Sequence, residues 1–99
     1  MSDPTANGPI VSHHLFVAGR VQGVGFRLHM AREARAAGVT GWVRNRRDGT
    51  VEAVVQGAPA AVERIMAWAH EGPPAGKVSN VRTGPAEGCF ADFVVLPTQ

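Results

Sequence analysis

Cysteine is almost absent from this chain: Cys89 is the only one in 99 residues. A lone thiol excludes an intrachain disulfide and a thiolate metal cluster, and it suits a reducing cytosol. An excess of one charge is equally lacking, because ten Lys plus Arg against eight Asp plus Glu leave a formal net charge of only +2. The high pI therefore reflects arginines rather than a polycationic surface, and charge alone implies no nucleic acid. The four histidines, His13, His14, His29 and His70, show no ligand spacing, such as a pair one helical turn apart with a third partner. They read as surface or capping residues, and neither a metal nor another cofactor is expected. Met1 to Ser12 holds two prolines and a glycine but no apolar block long enough for a signal peptide or a membrane span. Residues 1–12 are expected to be a flexible tail, on a cytoplasmic protein with no membrane partner.

Hydrophobic residues make up 44% of the chain, enough for one core, so residues 13–99 are expected to form a single domain. Its punctuation is regular. His14 to Ala18 is an apolar strand candidate, and Phe26, Met30, Ala34 and Ala37 recur at helical spacing up to Gly38, which is placed to end a helix. Thr40 to Arg44 and Val51 to Val55 flank Arg46-Arg47-Asp48-Gly49, a hairpin signal, and should pair antiparallel. Pro59 fits the first position of a second helix with the stripe Val62, Ile65, Met66 and Ala69, stopped by Gly72-Pro73-Pro74. Val78 to Thr83 and Phe93 to Leu96 are the remaining β-prone runs. The order βαββαβ predicts an α+β fold, a ferredoxin-like α/β sandwich with both helices on one face of an antiparallel sheet.

One segment carries chemistry. Gly19-Arg20-Val21-Gln22-Gly23-Val24-Gly25-Phe26-Arg27 joins the first strand to the first helix. Glycines at 19, 23 and 25 permit backbone conformations closed to other residues, so successive N–H groups can converge on an oxyanion at a helix N-terminus. Arg27, in the first helical turn, adds a planar guanidinium that can grip two phosphate oxygens. The phosphate-binding residues are expected to be Val21, Gln22, Gly23, Val24, Gly25, Phe26 and Arg27. The motif contains no Asp, Glu, His or Cys. A leaving group that needs a strong general acid is therefore a poor fit.

These residues resemble the signature of the acylphosphatase family, in which a glycine and a basic or polar residue precede Val-Gln-Gly-Val and a following Phe-Arg. The second block of that family is similar to Gly41-Trp42-Val43-Arg44-Asn45 followed by the turn Asp48-Gly49-Thr50-Val51-Glu52, and Gln56-Gly57 and Gly72-Pro73-Pro74 also fall where the family has them. The match runs over roughly residues 13 to 96. It departs at Arg46 and Arg47, where a threonine or leucine is common, and at the looser Ala75-Gly76-Lys77 stretch. The resemblance implies hydrolysis of a carboxyl-phosphate mixed anhydride to a carboxylate and inorganic phosphate, without a metal. It assigns Arg27 to phosphate binding and Asn45 to orienting the attacking water, the two catalytic residues. The partner is then a small-molecule acyl phosphate, and the protein is expected to be a monomer.

Two rivals share the element order. RNA-recognition domains need stacking aromatics on the third strand, and Val51-Glu52-Ala53-Val54-Val55-Gln56 has none. A non-catalytic acyl-phosphate or carbamoyl-phosphate binding module, like those inside larger maturation enzymes, would not need both Arg27 and Asn45. Arg20, Arg44, Arg46 and Arg47 are read as solvated hairpin and loop positions, with a positive rim for phosphorylated substrates as the alternative. Trp42 and Trp68 are assigned to sheet and helix packing, and Cys89 to the role of a small hydrophobe.

Overall fold

The computed structural model describes residues 9–99. Along them run β1 (Val11–Arg20), α1 (Phe26–Ala37), β2 (Thr40–Asn45), β3 (Val51–Gly57), α2 (Pro59–Glu71), β4 (Lys77–Pro85) and β5 (Phe93–Val95). Met1 to Gly8, most of the expected tail, lies outside the described residues. Val11 and Ser12 do not belong to a tail: they pair with Gly57 and Gln56 as the start of β1. The ordered domain therefore begins before residue 13, because β3 is long enough to offer those two positions a partner.

Both helices end and begin where their punctuation directs. Gly38 adopts a left-handed conformation at φ 76°, and its N–H donates to the carbonyls of Ala34 and Arg35, closing the last turn of α1. Pro59 opens α2 at a position whose N–H has no helical partner to lose. Phe26, Met30, Ala31 and Ala34 of α1 and Val62, Ile65 and Ala69 of α2 are buried. They meet alternate residues of the strands, Leu15, Val17, Val43, Val51, Ala53 and Val55, all fully buried. Each Val, Leu, Ile, Met or Phe among them contributes about 1.5–3 kcal/mol by leaving water, and each Ala less. Phe26 matters most for the site: it is 1% exposed and packs 5.1 Å from the Trp68 ring, so the start of α1 is anchored in the core.

The sheet has the order β4-β1-β3-β2-β5. The expected antiparallel pairing runs through β4, β1, β3 and β2, and β5 adds a parallel strand beside β2, so the sheet is mixed. The reason is topological. β4 ends at the edge of the sheet where β1 and β2 begin, and the connection 86–92 passes along that end. There the Gln56 side chain donates to the Gly88 carbonyl and accepts from the Phe90 N–H. A strand starting from that end must run in the direction of β2. The opposite end of the sheet gathers the β1–α1 loop, the end of β2 and the chain that follows β5.

Candidate active site

The site is built where β1 gives way to α1. Gly23 and Gly25 hold left-handed conformations, φ 74° and 82°, which L side chains adopt only at a cost of about 1–2 kcal/mol. Gly25 is the residue that caps α1, with no side-chain cap and no acidic residue in the first turn. The His29 N–H bonds to the Gly25 carbonyl at 3.0 Å, so the amides ahead of it are the orphan donors of a helix start. They carry the positive end of the helix dipole.

A recess of about 110 Å³ opens there, lined by Val21, Gly23, Gly25, Phe26, Arg27, Leu28 and Asn45. The space is large enough to admit a tetrahedral oxyanion. Arg27 and Asn45, which the resemblance named from separate motifs, are thus brought into one site. The Arg27 guanidinium donates to the Leu96 carbonyl at 3.4 Å, the long end of the hydrogen-bond range, and among the described residues no carboxylate pairs with it. Its charge is available to an anion. The Asn45 side-chain carbonyl oxygen is buried with no hydrogen-bond partner among the described residues, while its backbone carbonyl accepts from the Gln99 N–H at 3.0 Å. A buried unpaired acceptor costs about 1–3 kcal/mol, so this oxygen is suited to accept from a water. Leu28 stands at the rim, 67% exposed. Gln22 and Val24 do not line the recess with their side chains: the Gln22 carboxamide turns to the β2–β3 hairpin and Val24 packs against the core.

Arg44 and Arg46, on either side of Asn45, are not simply solvated. On the helix-free face of the sheet the Glu52 carboxylate accepts from Arg44 Nε at 2.8 Å, from Arg46 Nη1 at 2.9 Å, and lies 2.6 Å from His14 Nε2. Burial works to raise the Glu52 pKa, but the hydrogen bonds from Arg44, His14 and Arg46 outweigh it and leave the carboxyl below its ordinary value. The guanidinium of Arg44 also lies 4.8 Å from the Trp42 ring, so Trp42 packs on the open face rather than under a helix. Arg20 and Arg47 are exposed, as expected. Glu52 has no role of its own legible in the sequence, because nothing local to Val51-Glu52-Ala53 shows which strand lies beside it. Its cross-strand partner Arg44 and the nearby Arg46 were the available signal. Cys89 is exposed, and so is not a buried small hydrophobe, because the connection that carries it skirts the end of the sheet.

A helix start without a side-chain cap and, among the described residues, a guanidinium without a carboxylate and a buried carbonyl without a donor border one recess. That combination sits at one end of a ferredoxin-like α/β sandwich and is chemically suited to an oxyanion. The acylphosphatase family model matches residues 13–95, and the chain belongs to the acylphosphatase family. An acylphosphatase of Thermococcus kodakarensis is 61% identical over 71 residues, covering 72% of this chain and 78% of the relative. One from Azoarcus sp. is 48% identical over 98 residues, covering 96% and 98%. The solved structure of an acylphosphatase from Coxiella burnetii superimposes with a TM-score of 0.84 at 36% identity, covering 88% of this chain and 93% of that one.

Proposed function

We propose that the chain hydrolyses acyl phosphates with the phosphoryl group held by the 21–27 loop and Arg27, and with the attacking water oriented by Asn45. The loop amides and the guanidinium bind the phosphoryl oxygens and stabilise the charge that redistributes in the transition state. Water attacks phosphorus in line as the bond from phosphorus to the acyl oxygen breaks, and the carboxylate departs with the electron pair. A carboxylate is a stable anion at neutral pH, so it leaves without a general acid. The water's proton passes to a phosphate oxygen, and inorganic phosphate results.

Asn45 suits this task because a neutral carboxamide accepts from water without placing negative charge beside the phosphate. The observation that carries the reading is its buried, unpartnered side-chain oxygen in the same recess as Arg27. The lining holds no carboxylate, thiol or imidazole, which favours a metal-independent reaction in which the residues position rather than exchange protons. No helix among the described residues is long and apolar enough to cross a membrane. We infer a cytoplasmic enzyme that acts as a monomer on a small molecule, without nucleic acid; the small size of the recess, about 110 Å³, supports the small-molecule substrate. The test is release of phosphate from benzoyl phosphate with and without a chelator. Equal rates are expected, and loss of turnover on chelation would sink the metal-free mechanism.

A further inference from the structure

Gln22 lies inside the 21–27 loop, but its side chain does not line the recess. Its Nε2 donates to the Arg46 carbonyl at 2.6 Å and to the Thr50 carbonyl at 2.9 Å. Two carbonyl acceptors fix which end of the carboxamide points there, because only the NH₂ group can donate. The same two carbonyls close the β2–β3 turn. Thr50 accepts from the Arg46 N–H at 2.8 Å, and Arg46 accepts from the Gly49 N–H at 3.1 Å. Both hydrogens of one side chain from the loop thus straddle the neck of the hairpin, one residue beyond Asn45.

We propose that Gln22 is a positioning residue that couples the phosphate grip to the water-orienting group, setting the distance between the anion loop and Asn45. The need for such a link follows from connectivity. The loop is anchored through Phe26 in the core, while Asn45 sits at the end of a strand whose neighbours Arg44 and Arg46 are tied to Glu52 on the opposite face. Loop and strand end lie on different elements, and Gln22 supplies a direct side-chain bridge between them. Any slack between them would be felt in the approach of water to phosphorus, and a displacement of about 1 Å can cost on the order of 10²-fold in rate.

This inference rests on the proposed roles of the loop and Asn45, so its test has one arm that reads turnover and one that does not. Gln22→Leu preserves the bulk and removes both donors, and Gln22→Glu preserves the shape but presents an acceptor to two carbonyls. With benzoyl phosphate, both variants are expected to lose about 10- to 100-fold in kcat at neutral pH, while inhibition by inorganic phosphate changes less than about threefold. As pH falls toward the carboxyl range, Gln22→Glu should regain activity relative to Gln22→Leu, because a protonated carboxyl donates again. A merely steric role would give no such rescue. Independently of turnover, amide hydrogen exchange at Arg46 and Gly49 should quicken in Gln22→Leu with the core amides of β1 and β3 unchanged. If Gln22→Leu keeps kcat within twofold of the parent, or if phosphate affinity falls in step with kcat, or if the hairpin amides exchange at the parent rate, the coupling is refuted. A parent protein that fails to hydrolyse benzoyl phosphate would instead remove the functional reading, and the exchange arm would still decide the bridge.

Discussion

The two helices of this protein begin in nearly the same way and do different things. α1 follows β1 and α2 follows the antiparallel β3, so they start at opposite ends of the sandwich. Neither start has a side-chain cap or an acidic residue in its first turn, and each carries about +0.5 of a charge from its dipole. Yet α1 is reached through Gly25 at φ 82°, which turns the chain so that its amides border the recess, whereas α2 is reached through Ala58 at φ −59° and opens on Pro59, which has no N–H. Beside α1 stand Arg27 and Asn45. Beside α2 is a groove of Val11, His13, Pro59, Val62, Glu63 and Met66, largely apolar and with a carboxylate that opposes an anion. A helix dipole common to both ends therefore does not make the site. What sets the α1 end apart is the left-handed glycines, a guanidinium with no carboxylate partner among the described residues, and the strand-end carboxamide.

The most damaging way to break this contrast is at Arg27. Arg27→Gln should lower turnover at least about 10²-fold, the scale of removing one preorganised donor from a developing oxyanion, while circular dichroism reports an unchanged fold. Arg27→Lys should also fail, since an ammonium cannot reproduce the two-pronged contact. Hydrolysis by Arg27→Gln at the parent rate would reduce the α1 end to an ordinary helix start.

Asn45→Asp separates binding from hydrolysis at that end. Placing a carboxylate where a neutral acceptor stood should cost about 10-fold or more in kcat across neutral pH, because it adds negative charge beside the phosphate. Full activity over that range would overturn the neutral role of Asn45.

The support beneath the α1 end should show in the pH dependence of stability. Glu52 has a folded pKa below its ordinary 4.5. Its ion pairs therefore stabilise the protein above that value, and the contribution is lost as pH falls through the folded pKa. Glu52→Gln should cost about 1–3 kcal/mol at neutral pH and show a flatter loss of stability below about pH 4.5, measured by denaturant titration. Parallel parent and variant curves on the acid side would detach Glu52 from the hairpin's stability.

The smallest effect is expected at the other helix. Pro59→Ala restores an N–H to the start of α2, yet turnover should stay within twofold and stability within about 1 kcal/mol. A phosphate titration followed by amide chemical shifts should move residues 21–28 and 45 and leave 58–63 still. Comparable shifts at both helix starts would show that the dipole alone suffices.

Much of this was legible in the chain because the signals are local. Gly38 and Pro59 set helix ends through backbone constraints that belong to single residues, and Asp48-Gly49 marks the hairpin by the same logic. Gly23, Gly25 and Arg27 announced a left-handed turn into a helix with a cation beside it, because φ and charge travel with the residue. What escaped depends on which strand lies beside which. Glu52 carried no signal of its own until β2 placed Arg44 opposite it. That the Gln22 side chain turns to the hairpin was hidden until the fold set two carbonyls within its reach. Val11 and Ser12 looked like tail until β3 reached them.

Residue identity thus decided the element order, the helix limits, the glycine turn and the chemistry available at Arg27 and Asn45. Those properties reside in φ preference, periodicity and functional groups, which a residue keeps in any surroundings. The meeting of Arg27 with Asn45, the parallel edge strand, the burial of Glu52 and the bridge from Gln22 were decided by the tertiary structure. Each requires groups distant in the chain to lie within a hydrogen bond or a strand spacing of one another, and only the closed sheet, with its helices on one face, imposes those distances.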